Sequence, residues 1–193
     1  DKIMGVILMK NVEEARKILF SIGMPKAQQS DLCCYSLLAL AGLAPDSDWT
    51  DSTENWLRIH DIIEFTKDKY DVVYAENSRE TFRKQAMHHF RTAAVIEDNG
   101  KPRNSPHYRY RLTWEMLKLI RSFNTVLWDE ELTAFLSKHD KLVTIYASKK
   151  EMKKMPVKIN GEDFTFSTGK HNQLQKAILE EFAPRFAPGS RCL

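Results

Sequence analysis

Apolar residues recur at helical spacing over the first part of the chain, and this pattern predicts two packed helices. The first is predicted between Asn11, which has capping-box spacing to Glu14, and Gly23, a residue type that commonly follows a helix end. Its apolar stripe consists of Val12, Ala15, Ile18, Leu19 and Ile22. The second helix is predicted from Pro25 to Gly42. Because its second half is apolar nearly all round, we expect it to lie in the core.

A third helix is predicted after the polar loop at 44–53. It spans about Asn55 to Tyr70, and its apolar positions are Leu57, Ile59, Ile62, Ile63 and Phe65.

The fourth helix has the most distinct two-sided pattern in the chain. Asn77 is its predicted cap, with Glu80 at the third helical position. One side carries Phe82, Ala86 and Phe90, and the other side carries Thr81, Lys84 and His88. This pattern predicts a helix that packs one side on the core and presents a polar side to solvent.

A short hairpin is predicted after the fourth helix. The segment AAVIE favours a strand, DNGKPRNSPH has the glycine and prolines of a loop, and YRYRL alternates as a half-exposed strand does. Lys101 and Arg103 lie in the loop and would form the hairpin tip. Thr113 is placed to cap a following helix over Trp114, Leu117 and Ile120.

The remaining pattern predicts a further helix over 129–139, helical structure over 141–155, and a second hairpin in VKINGEDFTF with Asn160-Gly161 as its turn. The last predicted helix, STGKHNQLQKAILEEF, points Leu174, Ala177, Ile178 and Phe182 inward. The charged run SKKEMKKMP before this hairpin predicts a boundary between a domain over 1–155 and a second over 156–193.

Charged residues are distributed unevenly along the chain, and this distribution bears on the function. Residues 78–121 hold ten lysines and arginines against four acids, a net charge of +6, so the rest of the chain has a net charge of −3. Three of the six histidines also fall in this segment. A basic segment in a nearly neutral chain indicates contact with a polyanion.

The order of helices followed by a basic hairpin is that of a winged helix. In such domains the helix before the hairpin enters the major groove and the hairpin contacts the DNA backbone. The predicted DNA-contacting residues are Arg79, Arg83, Lys84, His88, Lys101, Arg103 and Arg109, and Thr81 and Gln85 are further candidates. Two alternatives stay open: a solvated charged face, or a hairpin that contacts another protein. Arg79 and Arg83 also lie near the apolar stripe, where either could form an intrahelical pair instead.

Composition excludes several classes of protein. No window approaches 18 consecutive apolar residues, so we expect no membrane span, and the start does not have the form of a signal peptide. Cys33, Cys34 and Cys192 lack metal-ligand spacing and are expected to be reduced thiols, which favours a cytoplasmic protein. Glu181 falls beside the apolar stripe of the last predicted helix, where it is either a rim ion pair or a carboxylate at the edge of an active site.

Four segments resemble one family: ARKILFSIGMPKAQQ, SRETFRKQAMHHF, NSPHYRYRL and especially GKHNQLQKAILEEFAPRFAPG. These are similar to the BsuBI/PstI type II restriction endonucleases, and the resemblance covers nearly the whole chain from about Val12. It implies a mainly α fold with a small β-hairpin wing: an N-terminal winged-helix-like domain, then the hairpin and helix that begin a PD-(D/E)xK α/β nuclease domain. It also implies Mg²⁺-dependent hydrolysis of duplex DNA at a short palindromic site, a homodimer on that site and a companion methyltransferase.

The chain departs from the family pattern at its end. The strands that would carry the Asp and the Glu-x-Lys are not in this sequence, so we expect the chain to hold the DNA-binding part and to lack the catalytic core. Glu181 is then the one candidate for an accessory catalytic and metal-binding acid. The alternative functions are a winged-helix regulator that binds DNA without catalysis and a module for protein contacts.

Overall fold

The computed structural model describes residues 2–139, 154–159, 162–167 and 170–187, and side chains are described from residue 11 onward except at 76, 154, 167 and 170. The described part is mainly helical, with two small antiparallel hairpins. It divides into two compact units, Asp1–Val143 and Thr144–Leu193.

The N-terminal unit contains six α-helices and one hairpin in its described residues. Its elements are α1 (Lys2–Ser21), α2 (Asp31–Ala41), α3 (Ile59–Tyr70), α4, the hairpin strands β1 (Ile96–Asp98) and β2 (Tyr110–Leu112), α5 (Trp114–Arg121) and α6 (Trp128–Lys138). Helix α4 consists of the α-helical turn Arg79–Phe82, a π-helical turn Arg83–Met87 and the α-helical turn His88–Thr92. Short 3₁₀ turns precede α2, α3 and α4.

The core of this unit lies where α1 and α2 pack together. The predicted α1 stripe is confirmed, because Val12, Ala15, Ile18, Leu19 and Ile22 are all buried. The apolar second half of α2 is buried as predicted, and both Cys33 and Cys34 are buried free thiols. Gly42 ends α2 in the left-handed conformation that favours glycine, with φ of 71°.

The predicted start of α1 is wrong. The helix begins at Lys2, so Asn11 lies within it and not at its cap. The Asn11 amide donates instead to the carbonyls of Ala44 and Ser47, at 3.0 and 3.4 Å, and so holds the loop after α2. Glu14 accepts from the Trp49 indole at 2.9 Å. A capping pattern inside a segment that can continue as helix does not start one, because the side chains have partners elsewhere.

The second and third helices both begin later than their patterns predict. Between Pro25 and α2 the chain forms a 3₁₀ turn, Lys26–Gln29, and then an extended residue, Ser30. Helix α3 begins at Ile59 and not at Asn55, because Leu57 pairs with β2. The Leu57 and Tyr110 backbones exchange two hydrogen bonds of 2.8 Å each. Of the predicted α3 stripe, only Ile62 is fully buried.

The first hairpin matches its predicted alternation. Strands β1 and β2 are antiparallel, with Ile96 opposite Leu112 and Glu97 opposite Arg111. Tyr110 and Leu112 are buried while Arg111 is half-buried, as a strand with one face on the core requires. Thr113 caps α5 as predicted, since its hydroxyl accepts from the Met116 N–H. Leu117 and Ile120 of this helix are buried, whereas Trp114 is exposed.

The C-terminal unit contains a hairpin and one helix in its described residues. Strand β3 (Lys154–Ile159) pairs antiparallel with β4 (Glu162–Ser167). Helix α7 consists of Lys170–Ala177, a π-helical turn Ile178–Phe182 and Ala183–Phe186. The predicted Asn160-Gly161 turn and nearly all of the helical prediction for 141–155 lie outside the described residues. Lys154 and the residue after it are in β3 and not helical.

The predicted inward stripe of α7 is wrong. Leu174, Ile178 and Phe182 are exposed, and so is Phe186, which stacks on Phe182 with ring centroids 4.3 Å apart. Val157 of β3 is the buried apolar side chain of this unit among its described residues. A hairpin and a single helix have too little surface between them to cover such a stripe.

No helix in the described part of the chain is both long and apolar enough to span a bilayer.

Candidate nucleic-acid interface

Helix α4 presents a polar face because its apolar side is fully committed to the core. Phe82, Ala86 and Phe90 have no exposed surface, and Met87 beside them is buried as well. On the other side Lys84, Gln85 and His88 are exposed and Thr81 is half-buried. The two-sided pattern predicted for this helix is therefore confirmed, although the π-helical turn within it was not predicted.

The first two turns of α4 carry a three-residue charge cluster. The Arg83 guanidinium makes two contacts to the Glu80 carboxylate, of 2.5 and 2.7 Å, and the Lys84 ammonium lies 3.2 Å from the same carboxylate. These hydrogen bonds, the one from Arg83 first, lower the pKa of Glu80 to about 2. The predicted cap is wrong: Asn77 lies in the 3₁₀ turn Glu76–Ser78, and Ser78, the residue before the helix, makes no side-chain cap hydrogen bond.

The histidines of α4 lie one helical turn beyond this cluster. His88 is exposed, and its ring meets that of His89 edge-on at a centroid distance of 5.3 Å. Burial, followed by the neighbouring His88, lowers the pKa of His89. His88 is therefore the more accessible imidazole of the pair.

The hairpin that follows α4 is braced at its neck by Asn99. The Asn99 amide nitrogen donates to the His107 carbonyl at 2.7 Å, and its oxygen accepts from the Arg109 N–H at 3.3 Å and the Lys101 N–H at 3.4 Å. Gly100 takes a left-handed conformation with φ of 70°, which lets the chain turn away from β1. The loop between the strands therefore leaves the sheet from a fixed point.

Four of the predicted cations form no ion pair with any residue that the structure describes. Lys101 and Arg103 are exposed at the hairpin tip, Arg79 is exposed at the start of α4, and Arg109 is half-buried on the hairpin. By contrast Arg83 and Lys84 share Glu80. The structure thus places the predicted residues in three groups: the hairpin tip, the first turns of α4 with His88 one turn further, and Arg109 directly before β2.

The outer side of β2 borders a shallow open pocket of about 410 Å³. Arg111 is one of the lining residues of this pocket. Its guanidinium carbon lies 4.5 Å from the centre of the Trp56 ring, and its Nε lies 2.6 Å from the Glu97 carboxylate. The other lining residues are Asp98, Asn99 and Arg109. Mixed charge and an open shape make this a surface groove and not an enclosed ligand site.

Sequence patterns alone missed Trp56, Asp98 and Asn99. Asp98 pairs with Arg91 of α4 at 2.8 Å, and Asn99 holds the neck. The one available signal is the D-N-G order, since aspartate and asparagine before glycine commonly hydrogen-bond their own turn. Trp56 carries no signal of this kind, because its stacking on Arg111 depends on the Leu57 bridge.

The acidic residues of α7 do not form a metal site within the described residues. Glu181, the predicted accessory acid, is exposed. It is Glu180 that contacts the hairpin: it accepts from the Lys158 N–H at 2.9 Å and lies 3.6 Å from Lys176, which donates to the Pro156 carbonyl at 2.6 Å. No cluster of three histidine, cysteine, aspartate or glutamate residues occurs in the described part of the chain. Mg²⁺ needs several oxygen ligands, so these residues alone do not fit it.

Two family models match the chain. A BsuBI/PstI restriction endonuclease HTH domain matches residues 9–144, and a BsuBI/PstI restriction endonuclease domain matches residues 155–193. The first match contains α4 and the basic hairpin, and the second contains β3, β4 and α7.

Individual proteins are similar over nearly the whole chain. The chain is 40% identical to the type II restriction enzyme BsuBI of Bacillus subtilis over 95% of its length, and 24% identical to the type II restriction enzyme AplI of Arthrospira platensis over 90%. The structure of SdaI restriction endonuclease covers 92% of the chain with a TM-score of 0.64 and 33% identity. The chain spans only 60%, 55% and 57% of these three proteins respectively.

Proposed function

Since this chain belongs to the BsuBI/PstI restriction endonuclease family, we propose that it contains the DNA-binding part of a type II restriction endonuclease. Its N-terminal unit acts as a winged-helix-like domain that binds duplex DNA at a short palindromic site. The observation that carries the proposal is the combination of α4, whose polar face is exposed, with a braced hairpin whose tip holds two unpaired cations among the described residues.

The two elements have different roles in this proposal. Lys84, His88 and Gln85 face the major groove from α4 and contact base edges, with Arg79 and Arg83 on the adjoining phosphates. Lys101 and Arg103 contact the backbone from the hairpin tip, and Arg109 does so from its position directly before β2. Phosphate contacts fix the position of the domain without reading sequence, whereas contacts to base edges discriminate between sequences.

The charge cluster at Glu80 supports this division. An arginine held by a carboxylate on the same helix is pre-positioned, so it loses less side-chain freedom on binding. The same carboxylate repels phosphate and limits attraction to DNA of any sequence. Arg83 and Lys84 are in this account less available for indiscriminate phosphate binding than the tip cations.

Hydrolysis of the duplex belongs in this proposal to the nuclease domain of the PD-(D/E)xK class. Bound Mg²⁺ would stabilise charge on the phosphate and lower the pKa of an attacking water. The described residues do not supply its ligand set, and no step is assigned to them. The role of Glu181 as an accessory acid stays a prediction. The match of residues 155–193 to an endonuclease domain supports a nuclease over a regulator without catalysis.

A palindromic site implies two copies of the reading domain. A symmetric dimer presents the same surface to each half-site, so we propose a homodimer on DNA.

Selection from a randomised duplex pool tests the proposed function. Residues 1–193 should enrich one short sequence with two-fold symmetry, or one half of it. Enrichment of no sequence, with equal binding to every duplex, would contradict base reading by this chain.

In the same preparation, supercoiled plasmid with Mg²⁺ should stay uncut, because no ligand set for the metal is present in the described residues. Site-specific cutting would show that the chain holds a catalytic site after all.

A further inference from the structure

One carboxylate joins α4 to the hairpin and has no role in the function proposed above. Asp98, the last residue of β1, lies 2.8 Å from Nε of Arg91 in the last turn of α4. Its other oxygen accepts from the Gly100 N–H at 2.9 Å. Burial, followed by the nearby Asp98 carboxylate, raises the pKa of Tyr108. Asp98 therefore contacts both α4 and the turn after β1.

The burial of Asp98 distinguishes it from its neighbour. Its side chain is 12% exposed, whereas that of Glu97 is 45% exposed. Both acids pair with an arginine, but Glu97 pairs with Arg111 on the opposite strand of the same hairpin. The Glu97 pair links β1 to β2, and the Asp98 pair links the hairpin to the helix before it. A shielded carboxylate with charged and neutral donors holds its geometry better than a solvent-screened pair.

We infer that Asp98 is a positioning residue that fixes the hairpin tip relative to α4, so that both elements contact one duplex at the same time. This inference rests on the proposed function. The physical reason is that two linked contacts bind cooperatively only when the link holds them at the spacing of their targets. Without that link, each binding event must order the hairpin anew, and the affinity falls by the cost of ordering it.

A positioning role of Asp98 can be distinguished experimentally from the effect of its negative charge. Asp98 is negative and would repel phosphate, so its neutralisation should strengthen DNA binding if simple electrostatics decided the outcome. If Asp98 positions the tip, the same substitution should weaken binding although the net positive charge rises. Electrostatic repulsion therefore predicts that Asp98→Asn raises the affinity for DNA, and positioning of the tip predicts that it lowers the affinity.

The test compares Asp98→Asn with the matched control Glu97→Gln in the 193-residue chain, on one duplex that the wild type prefers. Hydroxyl-radical footprints of the wild type and of the double variant Lys101→Ala/Arg103→Ala are compared first. The DNA backbone positions whose protection is lost in the double variant are those that the tip contacts. We expect Asp98→Asn to lose those same protections with both tip cations intact, and to weaken binding by about threefold to tenfold. The slope of log K against log salt should become shallower by about 0.5–1. Glu97→Gln should keep the protections and bind at least as tightly as the wild type.

Two further variants keep the inference testable if Asp98→Asn folds poorly. Tyr108→Phe removes the hydroxyl whose pKa the Asp98 carboxylate raises, and it keeps the ring that meets Tyr110. It should weaken the tip protections in the same direction by a smaller amount. Arg91→Gln should reproduce the loss seen for Asp98→Asn, and the double variant should show little further loss, because the two substitutions break one link.

The outcomes distinguish this inference from the proposed function. A wild-type chain that does not bind duplex DNA at low salt contradicts the proposed function, and the inference falls with it. A wild type that binds, with Asp98→Asn and Tyr108→Phe both keeping the tip protections, contradicts the inference alone. Equal losses in Asp98→Asn and Glu97→Gln would also overturn it, because the effect would then belong to the hairpin and not to its link with α4.

Discussion

Helices α4 and α7 have similar sequence patterns and different surroundings. Each carries apolar residues at i, i+4 and i+8, and each contains a five-residue π-helical turn. In α4 the side chains of Phe82, Ala86 and Phe90 have no exposed surface. In α7 those of Leu174, Ile178, Phe182 and Phe186 are 45–70% exposed. Helical periodicity therefore identifies a face that can be buried, and the number of elements packed around it decides whether it is.

The polar side chains of the two helices differ in a corresponding way. Helix α4 keeps Lys84, Gln85 and His88 exposed, next to a hairpin with unpaired tip cations among the described residues. Helix α7 uses Glu180 and Lys176 to hold its own hairpin through backbone contacts at Lys158 and Pro156. The N-terminal unit has a complete core and polar groups available for a partner. The C-terminal unit uses polar groups for its own assembly and leaves apolar groups exposed.

The largest expected difference between the two helices is in stability. Phe90→Ala removes a fully buried ring and should lower the free energy of unfolding by about 3–5 kcal/mol. Phe182→Ala in α7 should change it by less than about 1 kcal/mol, because that ring is largely in water already. Urea denaturation followed by tryptophan fluorescence measures both. A similar loss in the two variants would show that the α7 stripe is covered in solution.

The next effect concerns sequence preference. Lys84→Ala or His88→Ala should change the preference at one base pair by about 1–3 kcal/mol, if either side chain reads a base edge. Selection from the randomised pool measures this for each variant, with Lys176→Ala in α7 as the control that should leave the preference unchanged. An unaltered preference in both α4 variants would assign base reading to other residues.

Loss of a tip cation should weaken binding to every duplex alike. Lys101→Ala or Arg103→Ala removes one phosphate contact, which lowers the salt slope by about 0.9 and the affinity at 0.1 M salt by roughly eightfold. Competition between preferred and random duplexes checks that both fall together. A change confined to the preferred sequence would mean that the tip reads bases and does not only contact phosphate.

The smallest expected effect comes from Glu80. Glu80→Gln frees Arg83 and Lys84 from their shared carboxylate and removes a charge that repels DNA. Affinity for random duplex should rise by a few fold, with a slope steeper by about 0.5. Glu64→Gln on α3 is the control, since Glu64 forms no ion pair with a described residue and lies outside the predicted interface. Weaker binding in Glu80→Gln would show that the carboxylate itself contacts DNA.

Much of the N-terminal unit follows from local pattern. The stripes of α1 and α4, the buried second half of α2 and the alternation of β2 were all predictable, because each depends on which face of one element meets the core. The starts of α1 and α3 were not. They depend on distant partners: the loop carbonyls that Asn11 holds and the strand that Leu57 joins. No residue pattern in α4 or α7 predicts a π-helical turn, so the sequence analysis missed this turn in both helices.

The candidate site was predictable in composition but not in its connections. The basic segment and its seven candidate residues come directly from charge and spacing. The sequence could not show that Arg83 and Lys84 share Glu80 while Lys101 and Arg103 stay unpaired with any described residue, because pairing depends on side-chain geometry. Asp98 was counted as one acid among four in a basic segment. Its role as a link requires the fold that brings Arg91 to it.

The central claim is that the N-terminal unit binds duplex DNA through α4 and the basic hairpin. Its most direct test is the affinity of residues 1–193 for one duplex, measured by fluorescence anisotropy between 50 and 200 mM salt, conditions over which phosphate contacts are known to weaken. If about four to six phosphates are neutralised, log K should fall against log salt with a slope of about −4 to −5. An affinity independent of salt, or no binding at the lowest salt, would contradict the account.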